Sequence, residues 1–158
     1  VQLYVVTGMG RQLAEAPVFR AKDGGEVRSL FVPFTDQVPE VLSAADVVVG
    51  RAGAGSIAEI IRCRVPAALV PYPHAADNHQ AANAAHFAAR GGGFVVPQTR
   101  LDTLLAAVSS LLADPSRAAA HRERLAEMDR ENRTEVIVDD LEALLAAQTA
   151  SAPASATV

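Results

Sequence analysis

The stretch Asp46-Val47-Val48-Val49-Gly50-Arg51-Ala52-Gly53-Ala54-Gly55-Ser56-Ile57-Ala58-Glu59-Ile60-Ile61 decides the fold class. An apolar, β-branched run passes through a loop of very small residues into a helix, the repeating step of a parallel α/β sheet. Such a loop presents free backbone N–H groups and a positive dipole end to an anion, and a pyrophosphate suits it. Gly53 and Gly55 let the main chain approach phosphate oxygens, and Ser56 adds a hydroxyl donor. Glu59, one turn in, has two acceptor oxygens suited to a vicinal diol such as that of a ribose. The same residues have a purely structural reading: Ser56-Ile57-Ala58-Glu59 is an S-x-x-E capping box, closing the first turn on itself. Arg51 likewise reads as a surface salt-bridge partner when taken alone.

Working outward, further β-rich runs lie at Leu3 to Val6, Arg28 to Val32, Ala67 to Val70 and Phe94 to Val96. They alternate with helical apolar periods, which predicts a Rossmann-like parallel sheet flanked by helices. The plainest helix carries Leu101, Leu104, Leu105, Val108, Leu111 and Leu112 on one face and ends at Asp114-Pro115, so it is expected to pack on the sheet. Two more helices, about Pro115 to Met128 and about Thr134 to Gln148, follow with no strand between them. In the second, Ile137, Leu141, Leu144 and Leu145 form a stripe. Gly91-Gly92-Gly93 reads as a helix C-terminus and Thr7-Gly8-Met9-Gly10 as a turn, since a G-x-G-x-x-G pattern would need glycine where Leu13 stands. Residues 1–148 form one expected domain, and the Ala/Ser/Thr/Pro-rich tail 149–158 is expected to be disordered.

The chain has 158 residues, half of them apolar, which is enough for one domain with a core. A net charge of −4 with no basic run argues against a nucleic-acid partner. No apolar stretch approaches the roughly 20 residues of a spanning helix. The one cysteine, Cys63, excludes an internal disulfide and fits a reducing cytoplasm. His74, His79, His86 and His121 form no compact ligand set with Cys63, so neither a metal nor a cofactor is assigned.

A second stretch, Val65-Pro66 through Pro71-Tyr72-Pro73-His74-Ala75-Ala76-Asp77-Asn78-His79-Gln80 to Asn83-Ala84, ends a strand in a proline-bounded loop and opens the next helix on polar residues. These gather at the C-terminal edge of the sheet, where open α/β sheets bind ligands. Asp77 or Asn78 serves equally as a helix N-cap or as part of a ligand site.

Together, Ala45 to Val49, Arg51 to Glu59, Val65-Pro66 with Pro71 to Pro73, and Asp77 to Gln80 with Asn83-Ala84 resemble the family 28 glycosyltransferases of the GT-B fold. Within that family the resemblance is to the N-acetylglucosaminyltransferases that form lipid II in peptidoglycan synthesis. It implies the C-terminal, donor-binding half of such an enzyme, with UDP-N-acetylglucosamine as donor. Carried over by position, main chain near Phe34 and Thr35 meets the uracil, Ala54, Gly55 and Ser56 meet the diphosphate, and Glu59 holds the ribose hydroxyls. His79 and Gln80 meet the GlcNAc hydroxyls, Asp77 and Asn78 shape the turn, and Arg51 joins the donor contacts. Gly55 stands where the family has a bulkier residue.

By the same resemblance Val1 aligns with the second strand of the family's donor domain. The first strand, its glycine-rich loop and the acceptor domain with its general base are then expected outside this sequence. The lipid-linked acceptor would be reached through that missing domain or a separate subunit, peripherally on the cytoplasmic face of the inner membrane. The competing readings are a non-catalytic donor-binding subunit, a relative acting on a glycolipid or small aglycone, and a UDP-sugar epimerase.

Overall fold

The computed structural model describes residues 1–10, 18–20 and 24–150. The chain divides into two units, Val1–Val41 and Leu42–Val158. In the first, β1 (Gln2–Val6), β2 (Val18–Arg20) and β3 (Glu26–Val32) form a sheet in the order β1-β3-β2. β1 runs parallel to β3, from Gln2 opposite Arg28 to Val6 opposite Val32, and β2 is antiparallel. Strand β2 is not marked in the sequence, because three residues are too few for alternation to register. Met9 and Gly10 form the expected turn, with Gly8 and Gly10 at φ of 86° and 83°. Helix α1 (Val38–Ala44) follows β3 and crosses the boundary between the units.

In the second unit, β4 (Val48–Gly50), β5 (Ala67–Leu69) and β6 (Gly93–Val95) form an all-parallel sheet in the order β4-β5-β6. The described strands thus form two three-stranded sheets, each with parallel pairing, in an α/β fold. Helices α2 (Ala54–Cys63) and α3 (His79–Ala89) follow β4 and β5, giving the right alternation for a parallel sheet. Central strand β5 is wholly buried, as a parallel strand covered on both faces should be. Its small residues allow close approach: Ala67 lies opposite Gly93, and a Cβ on Gly93 would run into the Ala67 carbonyl oxygen. Gly91, at φ 83°, ends α3 as expected, and His121 Nδ1 donates to its carbonyl at 2.6 Å.

The segment after β6 departs from expectation. Gln98–Thr103 is a tight 3₁₀ turn broken at Arg100, and α4 (Leu104–Leu112) starts only after it. Thr103 Oγ1 donates to the Arg100 carbonyl at 2.8 Å, a local bond that competes with an earlier helix start. Leu111 is buried, while Leu105, on the expected stripe, stays exposed. Helix α5 (Pro115–Glu131) begins at Asp114, whose carboxylate accepts from the backbone N–H groups of Ser116 and Arg117. It packs on α2 and buries Ala118, Leu125 and Met128. Helix α6 (Thr134–Ala150) reaches two residues into the expected tail, and 151–158 lie outside the described residues. Its stripe of Ile137, Leu141, Leu144 and Leu145 is exposed. No described helix is long and apolar enough to cross a membrane.

Candidate functional site

The site begins at the start of α2. Its N-cap is Gly53, in an extended conformation with no side-chain cap, and the first intrahelical bond runs from Ile57 N–H to the Gly53 carbonyl at 3.0 Å. Ser56 is therefore the third residue of the helix, and the capping box it would open is not formed. The N–H groups of Ala54, Gly55 and Ser56 have no carbonyl one turn before them, so they point out of the helix end with the positive end of its dipole. All three residues are exposed, and so is Glu59, one turn on, whose carboxylate has no hydrogen bond or ion pair among the described residues. A glycine cap leaves this end open to an anion, whereas a Ser or Asp side chain would occupy it.

Two side chains of α3 hold the loop that leads into this end. Gln80 Oε1 accepts from the backbone N–H of Ala52 at 3.2 Å and from that of Tyr72 at 3.0 Å. Asn83 Nδ2 donates to the Ala52 carbonyl at 3.2 Å. The loops after β4 and β5 are thus tied to the same helix face, because residues three apart are neighbours on a helix. Gln80, expected to meet a sugar hydroxyl, commits its oxygen within the protein and keeps only its NH2 for a ligand.

Among the described residues Arg51 forms no salt bridge: its Nη1 donates to the carbonyls of Val70 and Pro71, at 3.2 and 3.3 Å, and to Gln98 Oε1 at 2.8 Å. Its guanidinium lies 5.5 Å from the centre of the Tyr72 ring, within cation–π range. A cavity of about 360 Å³ opens beside it, lined by Val49, Gly50, Val70, Gln98 and Leu101. The role of Gln98 has no sequence signal, since it lies alone after Pro97.

His79 opens α3, and its Nδ1 lies 2.7 Å from the Ala76 carbonyl. A carbonyl only accepts, so Nδ1 carries the hydrogen of this bond and Nε2 is the ring nitrogen left for a ligand. Asp77 and Asn78 precede it with φ of 48° and 54°, two consecutive left-handed residues that turn the chain sharply. Asn78 occupies the N-cap position of α3 without capping it. Phe34 and Thr35 belong to the first unit: Phe34 is 66% exposed, and Thr35 Oγ1 accepts from Gln37 N–H at 3.1 Å in the turn before α1. Among the described residues no group of three or more His, Cys, Asp or Glu side chains is placed to hold a metal ion.

Residues 1–141 match the glycosyltransferase family 28 C-terminal domain. A curated relative from Opitutus terrae, named UDP-N-acetylglucosamine--N-acetylmuramyl-(pentapeptide) pyrophosphoryl-undecaprenol N-acetylglucosamine transferase, is 47% identical over 158 residues, 99% of this chain and 42% of its own length. The protein of the same name from Carboxydothermus hydrogenoformans is 38% identical over 120 residues, 75% of this chain and 32% of its own. Among solved structures, MurG of Acinetobacter baumannii has a TM-score of 0.58 at 28% identity, over 73% of this chain and 34% of that one. A kitacinnamycin glycosyltransferase has 0.54 at 31%, over 65% and 25%. The chain spans less than half the length of these curated relatives.

Proposed function

The chain belongs to the glycosyltransferase family 28 C-terminal domain family, and from that premise we propose that it is the donor-binding part of an inverting transferase that uses UDP-N-acetylglucosamine to convert lipid I to lipid II. The observation that carries this reading is the open, glycine-capped start of α2, with Ser56 and the exposed Glu59 one turn apart. The diphosphate would lie on the N–H groups of Ala54, Gly55 and Ser56, and Glu59 would accept from both ribose hydroxyls. His79 Nε2 would accept from a sugar hydroxyl and the Gln80 NH2 would donate to one.

In the reaction, the acceptor hydroxyl attacks the anomeric carbon while the bond from that carbon to the β-phosphate oxygen breaks. Its electron pair leaves with UDP. The hydroxyl proton would pass to a general base as the new bond forms. The α2 end would stabilise the charge that develops on the leaving diphosphate, a fixed dipole needing no reorganisation. The whole enzyme would work peripherally on the cytoplasmic face of the membrane.

Calorimetric titration of the chain with UDP-N-acetylglucosamine, UDP and uridine tests the reading. UDP and the sugar nucleotide are expected to bind more tightly than uridine, without glycosyl transfer by the chain alone. UDP binding no tighter than uridine would refute it. Transfer to a small aglycone is the second reading, favoured by the likeness to the kitacinnamycin glycosyltransferase. Lipid I and small aglycones offered to the full-length protein would separate the two.

A further inference from the structure

Ala52 is fully buried, yet it stands in a loop between strand β4 and helix α2, where no ladder or helical partner exists for its backbone. Buried peptide groups must be paired, so both of its polar groups need partners from elsewhere. Helix α3 supplies them as two side-chain amides: Gln80 Oε1 takes the N–H and Asn83 Nδ2 gives to the carbonyl. The pair treats Ala52 as a neighbouring strand would.

The choice of amides carries information. Glutamate at position 80 could accept the same N–H and aspartate at 83 could not donate at all, and either would bring negative charge towards the start of α2. Asparagine and glutamine meet one donor and one acceptor without charge. With both peptide planes of Ala52 held, the direction of Gly53 is set, at φ −68° and ψ 146°. The N–H groups of Ala54 to Ser56 follow within a turn.

We infer that Asn83, together with Gln80, is a positioning residue that aims the α2 N–H groups at the donor diphosphate by clamping the Ala52 peptide. The inference rests on the donor-binding reading above. Asn83 is only half-buried, and its bond to Ala52 ties it to the loop across 31 residues of sequence.

The test compares UDP with uridine on the whole chain and on Asn83→Ala. A wild-type chain that binds UDP no tighter than uridine refutes donor binding itself. Given a wild-type preference for UDP, Asn83→Ala is expected to lose about tenfold in UDP affinity, the effect of misaiming one charge-assisted hydrogen bond, with uridine affinity unchanged. A residue that merely supports the fold would leave the UDP-to-uridine ratio where it was. An unchanged ratio overturns the positioning role and leaves donor binding standing. Should Asn83→Ala fail to fold, Asn83→Leu, uncharged and branched at the same carbon, is expected to show the same selective loss. If neither variant folds, Asn83 serves the fold and the inference fails.

Discussion

Arg51 Nη1 donates to Gln98 Oε1 at 2.8 Å, tying the loop after β4 to the turn after β6 across 47 residues of sequence. The same nitrogen reaches two carbonyls at the end of β5, so one guanidinium braces the exits of all three parallel strands. The brace is exposed, and its value is accordingly modest. Arg51→Ala and Gln98→Ala are each expected to cost about 0.5–1 kcal/mol in urea unfolding. A double-mutant cycle should return most of that as coupling, and strictly additive losses would show that the two side chains act independently.

Glu59 separates a ligand role from a capping role. Gly53 is the N-cap of α2 and the Glu59 carboxylate has no partner among the described residues, so Glu59→Ala should leave the melting temperature unchanged. If the carboxylate holds the ribose diol, UDP affinity should fall by about 1–3 kcal/mol. Calorimetry and a thermal melt on the same sample decide it. A lower melting temperature with intact UDP binding would return Glu59 to the helix.

Asp129, on the buried side of α5, accepts from Arg62 Nη1 at 3.2 Å and from Arg64 Nη2 at 3.1 Å. Burial pushes its carboxyl up, but the hydrogen bonds and charges of Arg64 and Arg62 outweigh it and hold the group below its ordinary value of 3.8. A carboxyl lowered in the folded state binds its proton more readily when unfolded. Its stabilisation is therefore present above pH 3.8 and is lost as pH falls through the lower folded value. Asp114, lowered by the Ser116 hydroxyl and by backbone N–H groups at the start of α5, acts with the same sign. Urea unfolding from pH 6 to pH 2.5 should show a falling midpoint, and Asp129→Asn should flatten part of that fall. An unchanged slope in Asp129→Asn would remove the ion pairs as its cause.

Gly93 is confined by backbone, not by a movable side chain. A Cβ there would run into the Ala67 carbonyl, in the β5–β6 ladder, at a φ of 156°. Gly93→Ala is expected to destabilise the second unit by about 3 kcal/mol, at the upper end of overpacking costs. Gly91→Ala meets the flexible Arg124 side chain at 2.9 Å, though its φ of 83° also opposes a side chain. Denaturant midpoints of both variants should rank Gly93→Ala as the worse, and the reverse order would count against the close approach of β5 and β6.

Much of the α/β pattern was readable from short-range order. The valine run before Gly50, the small residues to Gly55 and the helix through Ile61 are one local program, because β-branched side chains favour strands and glycine frees the turn between. The runs at Ala67 and Phe94 found their strands within a residue or two for the same reason. Strand β2 and the 3₁₀ turn before α4 were not readable. Three residues carry no period, and the leucine stripe from Leu101 fits a helix that Arg100 interrupts only through its backbone.

The candidate site divides along the same line. The sequence by itself determined which residues stand at the sheet's C-terminal edge, since Ser56, Glu59, His79 and Gln80 all sit in or just after loops that follow strands. Only the tertiary structure decided what each is free to do. It made Gly53 the cap, committed the Gln80 oxygen to Ala52 and Tyr72, turned Arg51 into a brace and recruited Asn83. Those partners lie 8 to 47 residues apart, and pairings beyond one helical turn are chosen by how the loops pack, which no local pattern encodes.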